Sequence, residues 1–158
     1  MSTNRQKSFL ATLNWSTKSF GIISHRGNTV PVLAEKPVAD VFYFRCTDEW
    51  YTIYIRAEGE HFGKTIDLNG NYFSCSTSSD PTTFKIINKD WKTLTLDDLK
   101  TNKENVYLLT RSGKRVNAEF VFTNESPVRL QANGQINITL DLNIIERNAP
   151  FLNDPDEI

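Results

Sequence analysis

Cysteine and histidine are scarce in this chain of 158 residues, which contains 2 of each. Cys46 and Cys75 are far apart, and we expect free thiols in a reducing compartment, although a disulfide between them stays an open alternative. The spacings of these cysteines, and of His25 and His61, match no zinc finger or ribbon. We therefore expect no metal site.

Long apolar runs are missing as well. No run approaches the roughly 20 residues needed to span a bilayer. Residues 1–15 lack the apolar core of a secretory signal. We expect a cytoplasmic protein without membrane contact. Its composition, with 39% hydrophobic and 23% charged residues, suits one globular domain or two very small ones.

The sequence also lacks the motifs of an enzyme. The neighbouring carboxylates of Asp97 and Asp98 point apart, which suits general acid–base catalysis poorly. No Ser or Cys motif accompanies the two histidines as a nucleophile would require. The glycines are scattered singly, so no phosphate-binding loop is present. We predict a non-enzyme that has no cofactor.

The chain is instead rich in short runs of aromatic and β-branched residues, and turn residues separate them. This pattern predicts an all-β barrel or sandwich. Strands are predicted over residues 9–15, 19–24, 40–46, 50–57, 63–68, 72–75, 82–87, 92–96, 106–110, 115–123, 128–131 and 136–146. Residues 25–39 read as a long loop that includes a brief extended piece.

Three local features are more specific. Asn69-Gly70-Asn71 is the best tight-turn signal in the chain. Thr95 is a candidate N-cap for a short helix, with Asp98 supplying a carboxylate to the first turn. Alternation over residues 50–57 places Tyr51, Ile53 and Ile55 on one face of a strand.

Two early motifs, KSFGII at residues 18–23 and DVFYF at residues 40–44, resemble the cold-shock domain family. That family carries K-G-F-G-F-I and D-V-F-V-H-F at the corresponding places. The resemblance covers residues 8–68. It implies a five-stranded OB-type barrel that binds single-stranded DNA or RNA. The chain departs from the family at Ser19, which replaces a glycine, and at Ile22, which replaces a stacking phenylalanine.

The resemblance and the residue types together define a candidate nucleic-acid site. Aromatic rings would stack on bases, and neighbouring cations would neutralise phosphates. The candidate stacking rings are Trp15, Phe20, Phe42 and Phe44. The candidate phosphate ligands are Lys18, His25, Arg26 and Arg45, with Arg56 and Lys64 as an extension. The alternative is that Phe42 and Phe44 fill a barrel core and that the cations are only solvated.

The rest of the chain is predicted in segments. Residues 1–7 form a flexible basic N-terminus, and residues 8–68 form the cold-shock-like barrel. Residues 69–148 form either a second OB-like barrel or an extension that completes one larger barrel. Residues 149–158 are an acidic tail and a candidate contact for a protein partner.

A β-trefoil is the alternative fold. Phe44, Phe84 and Phe122 lie 40 and 38 residues apart, each in a predicted strand that a second strand follows after a turn. A threefold period near this length is typical of β-trefoils such as lectins, protease inhibitors and actin-binding trefoils. Phe20 and Phe44 would then belong to the core, and the ligand would be a carbohydrate or a protein.

Overall fold

The computed structural model describes residues 2–25, 27–35, 40–56, 61–119, 128–134 and 136–149. Strands dominate this part of the chain, and two short 3-10 helices lie at Arg5–Lys7 and Leu96–Asp98. The strands are β1 (Phe9–Trp15), β2 (Lys18–His25), β3 (Asn28–Ala34), β4 (Phe42–Thr47), β5 (Trp50–Ile55), β6 (Thr65–Asn69), β7 (Tyr72–Ser76), β8 (Thr83–Ile87), β9 (Thr93–Leu94), β10 (Lys103–Thr110), β11 (Val116–Ala118), β12 (Val128–Ala132) and β13 (Leu140–Arg147).

Six of these strands close into an antiparallel ring in the order β1-β4-β5-β8-β10-β13. Side chains alternate between the two faces of a strand, so every second residue of each ring strand points inward. The inward residues form the main core and are Phe9, Ala11, Leu13, Phe42, Phe44, Cys46, Tyr51, Ile53, Ile55, Phe84, Ile86, Val106, Leu108, Leu140, Leu142 and Ile144.

Three hairpins attach to one end of this ring. Neighbouring ring strands are antiparallel, so β1, β5 and β10 all run in one direction and end at the same side. The hairpin β2-β3 pairs with β1, the hairpin β6-β7 with β5, and β11 of the hairpin β11-β12 bridges to β10. The hairpins also pair with one another, β12 lying between β3 and β7.

The same arrangement therefore occurs three times along the chain. Residues 9–47, 50–87 and 103–147 each supply two strands to the ring and one hairpin between them. Residues 88–102, which include β9, are an insertion between the second and third units. The sheet also closes along a longer path that includes hairpin strands. This path has ten strands in the order β1-β2-β3-β12-β7-β6-β5-β8-β10-β13.

The prediction of an all-β barrel is confirmed, but the five-stranded OB-type barrel is not what forms. Strands from both halves of the chain alternate in the sheet, because β1 pairs with β13 and β3 with β12. The predicted boundary between residues 68 and 69 falls inside β6. Residues 8–68 therefore do not close a barrel by themselves.

Local turn chemistry was predicted well in two places. Gly70 has a φ of +66°, and the turn joins β6 to β7 directly. Thr95 N donates to Asp98 Oδ2 at 2.9 Å, at the start of the second 3-10 helix. The predicted loop over residues 25–39 is wrong for its first part. Gly27, with a φ of +79°, instead lies in a tight turn, and β3 returns along β2.

The period of about 40 residues is correct for two of its three members. Phe44 and Phe84 lie in β4 and β8, the last strands of the first two units, and both are fully buried. Phe122 lies outside the described residues. The last strand of the third unit is β13, which begins at Leu140.

Tyr51 connects the barrel to both short helices. Its hydroxyl donates to Lys7 O at 2.8 Å and accepts from Leu96 N at 3.0 Å. Burial raises the pKa of this phenol. Burial is the largest effect and outweighs the hydrogen bond from Leu96 N, which lowers this pKa, so Tyr51 stays neutral and fixes the two helices against the core without introducing a charge.

Both cysteines are buried free thiols. Burial, assisted by the Asp67 carboxylate, raises the pKa of Cys75 to about 12, whereas its ordinary value is 9.0. Between these two values the unfolded thiol ionises and the folded thiol does not. The unfolded state then binds fewer protons, so stability falls as the pH rises, by up to about 1.4 kcal/mol per pH unit.

We therefore expect Cys75→Ala to flatten the loss of stability above pH 9, because the variant has no thiol to ionise at this position. Urea unfolding of wild type and variant at a series of alkaline pH values measures the difference in slope. Cys46 and Tyr51 are present in both proteins, so their own titration cancels. Parallel pH profiles for the two proteins would contradict the burial effect.

Candidate functional site: an aromatic and cationic face of the barrel

The three predicted phenylalanine platforms are in the interior. Phe20 is 1% exposed, and Phe42 and Phe44 are 0% exposed. Phe44 stacks on Phe9 with ring centroids 4.8 Å apart, and Phe20 meets Phe42 edge to face at 5.1 Å. The prediction that these rings stack on bases is therefore wrong. Closure of the ring turns the inner face of β4 toward the core.

The remaining residues of the predicted site do not gather around these rings. Trp15 is half-buried at the end of β1 and packs against the core. Lys18 Nζ lies 3.9 Å from Glu35 Oε1. Lys64 Nζ is 3.2 Å from His61 Nδ1, at the start of β6. Arg26 and the side chain of His25 lie outside the described residues.

Arg45 and Arg56 are on the outer side of the β4-β5 hairpin. The Arg56 guanidinium lies over the Tyr43 ring at 5.1 Å from its centroid. Arg45 is half-buried and is paired in register with Thr52 of β5. These two predicted cations therefore lie on the outer wall of the barrel, which the core phenylalanines do not reach.

The outer wall has aromatic rings of its own. Trp50 points outward because its neighbour Tyr51 points inward. The Lys85 ammonium lies 4.6 Å and the Arg111 guanidinium 4.7 Å from the centroid of the Trp50 ring. Contacts of this kind contribute about 0.5–1 kcal/mol at exposed positions, so each one modestly favours this arrangement of the three side chains.

A second group lies beside the first on β10. Trp91 stacks on Tyr107 with centroids 5.7 Å apart and an interplanar angle of 15°. The Arg115 guanidinium is 3.9 Å from the centroid of the same Tyr107 ring. We call these two groups together the aromatic–cation face. Its members are Trp50, Lys85, Trp91, Tyr107, Arg111 and Arg115.

Strand pairing places the two groups next to each other. Lys85 and Ile87 are both on the outer side of β8, and β10 pairs Tyr107 with Ile87 and Leu109 with Lys85. Arg45 extends the face, since Thr52 pairs with both Arg45 and Thr83. From β4 to β10 this row of strands spans about 14 Å, given about 4.8 Å between neighbouring strands.

Trp91 is an exposed part of the face and is held there by its turn. Its side chain is 61% exposed, and its φ is +61°, a value that residues other than glycine rarely adopt. Asn88 Oδ1 accepts from Asp90 N at 3.0 Å and from Lys92 N at 2.9 Å, and Trp91 N donates to Asn88 O at 3.0 Å. The turn therefore presents the indole in a fixed position despite the strained backbone.

The charge of the face is positive. The ion pair of Lys18 with Glu35 is the one found among the described residues. Lys85, Arg111 and Arg115 accordingly have no carboxylate of the described segments within salt-bridge distance. Arg115 Nη2 also donates to Ile138 O at 3.2 Å, so part of its guanidinium is already engaged, and Lys85 and Arg111 are the cations best placed for an anion that lies across the face.

A polar groove of about 590 Å³ lies elsewhere, between the β1-β2 turn, β10 and β13. Amides, hydroxyls and charges of both signs line it, and Asn105 Nδ2 donates to Asp141 Oδ1 at 2.8 Å inside it. Its lining residues are Asn14, Ser16, Thr17, Lys18, Ser19, Lys103, Glu104, Asn105, Asp141, Leu142 and Asn143.

Two further kinds of site are absent from the described segments. They contain no group of three or more His, Cys, Asp and Glu residues placed to hold a metal ion. Nor do they contain a helix with the length and hydrophobicity to cross a membrane.

Sequence reasoning missed the aromatic–cation face, although one signal pointed to it. The alternation over residues 50–57 that placed Tyr51, Ile53 and Ile55 on one face of the strand also places Trp50 on the opposite face. The partners of Trp50 come from residues 85 and 111, and only the strand pairing brings them together. Trp91 lies in a turn, where alternation gives no information.

Comparison of the chain with protein-family models, curated proteins and solved structures finds no match. Any statement about function therefore has to be argued from the side chains themselves.

Proposed function

We propose that this chain is a non-catalytic binding module of the β-trefoil type. The support is the threefold repetition of two ring strands and one hairpin over residues 9–47, 50–87 and 103–147. Each hairpin continues from the first strand of its unit, and the three hairpins pair at one end of a six-strand ring. The repetition also accounts for the period of about 40 residues between Phe44 and Phe84.

The ligand that we propose for the aromatic–cation face is single-stranded nucleic acid. The observation that carries this proposal is that aromatic rings alternate with cations across three neighbouring strands, and that Lys85, Arg111 and Arg115 have no ion pair with a carboxylate of the described segments. Unpaired bases stack on such rings without regard to sequence, and the cations neutralise the phosphates between them.

Salt dependence tests the electrostatic half of this proposal. Binding of an oligo-dT or oligo-U should weaken as salt rises, with a slope of about −0.7 in log K against log salt for each phosphate contacted. Four contacts, from Arg45, Lys85, Arg111 and Arg115, give a slope of about −3. We expect Lys85→Gln and Arg111→Gln each to reduce the slope by about 0.7.

Lys103→Gln is the matched control, since Lys103 is an exposed lysine in the polar groove and not on the face. Fluorescence anisotropy of a labelled oligonucleotide at several salt concentrations measures all three variants. An unchanged slope in Lys85→Gln and Arg111→Gln, or an equal change in Lys103→Gln, would rule out the face as the phosphate-binding surface.

A carbohydrate is the second candidate ligand, and the polar groove is the observation that favours it. Its amides and the Asp141 carboxylate are the groups that hydrogen-bond sugar hydroxyls. Retention on sugar-bearing resins that Asp141→Ala abolishes and Trp91→Ala leaves intact would support this candidate over nucleic acid. The acidic tail remains a proposed contact for a protein partner, and its residues 150–158 lie outside the described segments.

A further inference from the structure

A small cleft opens among the three hairpins, away from the strands that form the aromatic–cation face. Its volume is about 250 Å³, below the usual range for drug-sized ligands, so it suits a single small group. Strands β3, β7 and β12 contribute most of its wall. The lining residues are Asn28, Thr29, Val30, Asn69, Tyr72, Ser74, Cys75, Ser76 and Arg129.

Among the described residues that line the cleft, Arg129 is the one that carries a charge. Its guanidinium lies 4.2 Å from the centroid of the Tyr72 ring. Its Nε is buried without a hydrogen-bond partner, and none of the carboxylates in the described segments forms an ion pair with it. Partial burial removes water from the Arg129 guanidinium, and the missing hydrogen bond and ion pair leave much of this free-energy cost without compensation. An anion bound in the cleft would offset the cost.

The charges around the cleft favour an anion as well. Lys64 Nζ is close to His61, whose Nδ1 lies 3.4 Å from Thr29 Oγ1 in the cleft wall. Two acids of the described segments accept hydrogen bonds from lining residues: Glu119 Oε1 accepts from the backbone N of Arg129 at 3.3 Å, and Asp67 accepts from Ser76 Oγ. Its oxygens also accept from Thr65 Oγ1 at 2.9 Å and Thr82 N at 2.9 Å, so Asp67 is already occupied by donors.

We propose that this cleft binds one small oxyanion group, a carboxylate or a phosphate-like group, through the Arg129 guanidinium. The Tyr72 ring holds the guanidinium plane in place, and the hydroxyls and amides of Thr29, Asn69 and Ser74 are hydrogen-bond donors for the remaining oxygens. The site is separate from the aromatic–cation face and does not depend on nucleic-acid binding.

The test is a titration of the full chain with acetate, inorganic phosphate and sulfate at constant ionic strength. Thermal unfolding should show a saturable rise in Tm with at least one probe, because a ligand that binds only the folded state stabilises it. Acetate alone would assign a carboxylate, and phosphate and sulfate without acetate would assign a tetrahedral oxyanion. A response to all three anions supports a site that binds small oxyanion groups in general.

Arg129→Gln should lower the affinity for the anion that binds by at least about tenfold, because a charged hydrogen-bonding partner is lost. Arg129→Lys should keep part of this affinity. Arg5→Gln, which removes an exposed arginine outside both the cleft and the aromatic–cation face, should respond as wild type does. A saturable shift of the Arg129 Nε–H resonance on titration of the wild-type protein gives the same answer if Arg129→Gln fails to fold. No saturable effect with any probe, or an undiminished effect in Arg129→Gln, would overturn the proposal.

Discussion

Phe44→Ala is expected to lower the free energy of unfolding by about 3–5 kcal/mol, the usual cost of removing a fully buried phenylalanine ring. Phe44 is 0% exposed and stacks on Phe9 at 4.8 Å, and its ring also meets Tyr51 at 6.1 Å between centroids. A cavity in the centre of a closed ring has little room to collapse. For a chain of this size the loss corresponds to about 6–20 °C in Tm.

Phe62→Ala is the matched control, because Phe62 is 39% exposed and its removal should change stability by less than about 0.5 kcal/mol. Urea and thermal unfolding measure both variants. Oligonucleotide affinity of folded Phe44→Ala, measured well below its Tm, should equal that of wild type. A variant that kept its stability and lost its affinity would restore Phe44 as a stacking platform and refute its core position.

The contrast between Phe44 and Trp50 shows how much of the structure can be predicted from the sequence. Alternation correctly separated the two faces of β5, so Tyr51, Ile53 and Ile55 share one side in the structure. It does not say which face of a strand is inward. For β4 the resemblance to the cold-shock family suggested an outward aromatic face, whereas closure of the six-strand ring turns Phe42 and Phe44 inward.

Long-range pairing limited the rest of the prediction. The cations that contact Trp50 come from positions 35 and 61 residues further along the chain. They are brought to Trp50 by the pairing of β5 with β8 and of β8 with β10, which the local sequence does not predict. The hairpin β2-β3 was obscured because Gly27, Asn28 and Pro31 are all loop-forming types. Pro31 is nevertheless accommodated within β3, opposite Ile22.

Trp91→Ala is expected to weaken oligonucleotide binding about 5- to 150-fold, since each base stacked on an aromatic ring contributes about 1–3 kcal/mol. Trp91 is 61% exposed, and one face of its ring stacks on Tyr107 with the ring centroids 5.7 Å apart. Anisotropy titrations with oligo-dT and oligo-U measure the change. Trp91→Phe should keep a part of the affinity, because a smaller ring still offers a stacking surface.

The strained backbone of Trp91 provides a sharper control than alanine. Glycine adopts a φ of +61° without cost, so Trp91→Gly relieves about 1–2 kcal/mol of strain and loses about 0.5–1.5 kcal/mol of stacking on Tyr107. We therefore expect Trp91→Gly to unfold close to the wild-type Tm and yet bind oligonucleotide as weakly as Trp91→Ala. Wild-type affinity in both variants would show that the exposed indole takes no part in binding. A strained backbone that adds nothing to stability is expected at a residue that serves binding. Trp91→Gly and Trp91→Ala together separate the effect on stability from the effect on oligonucleotide affinity.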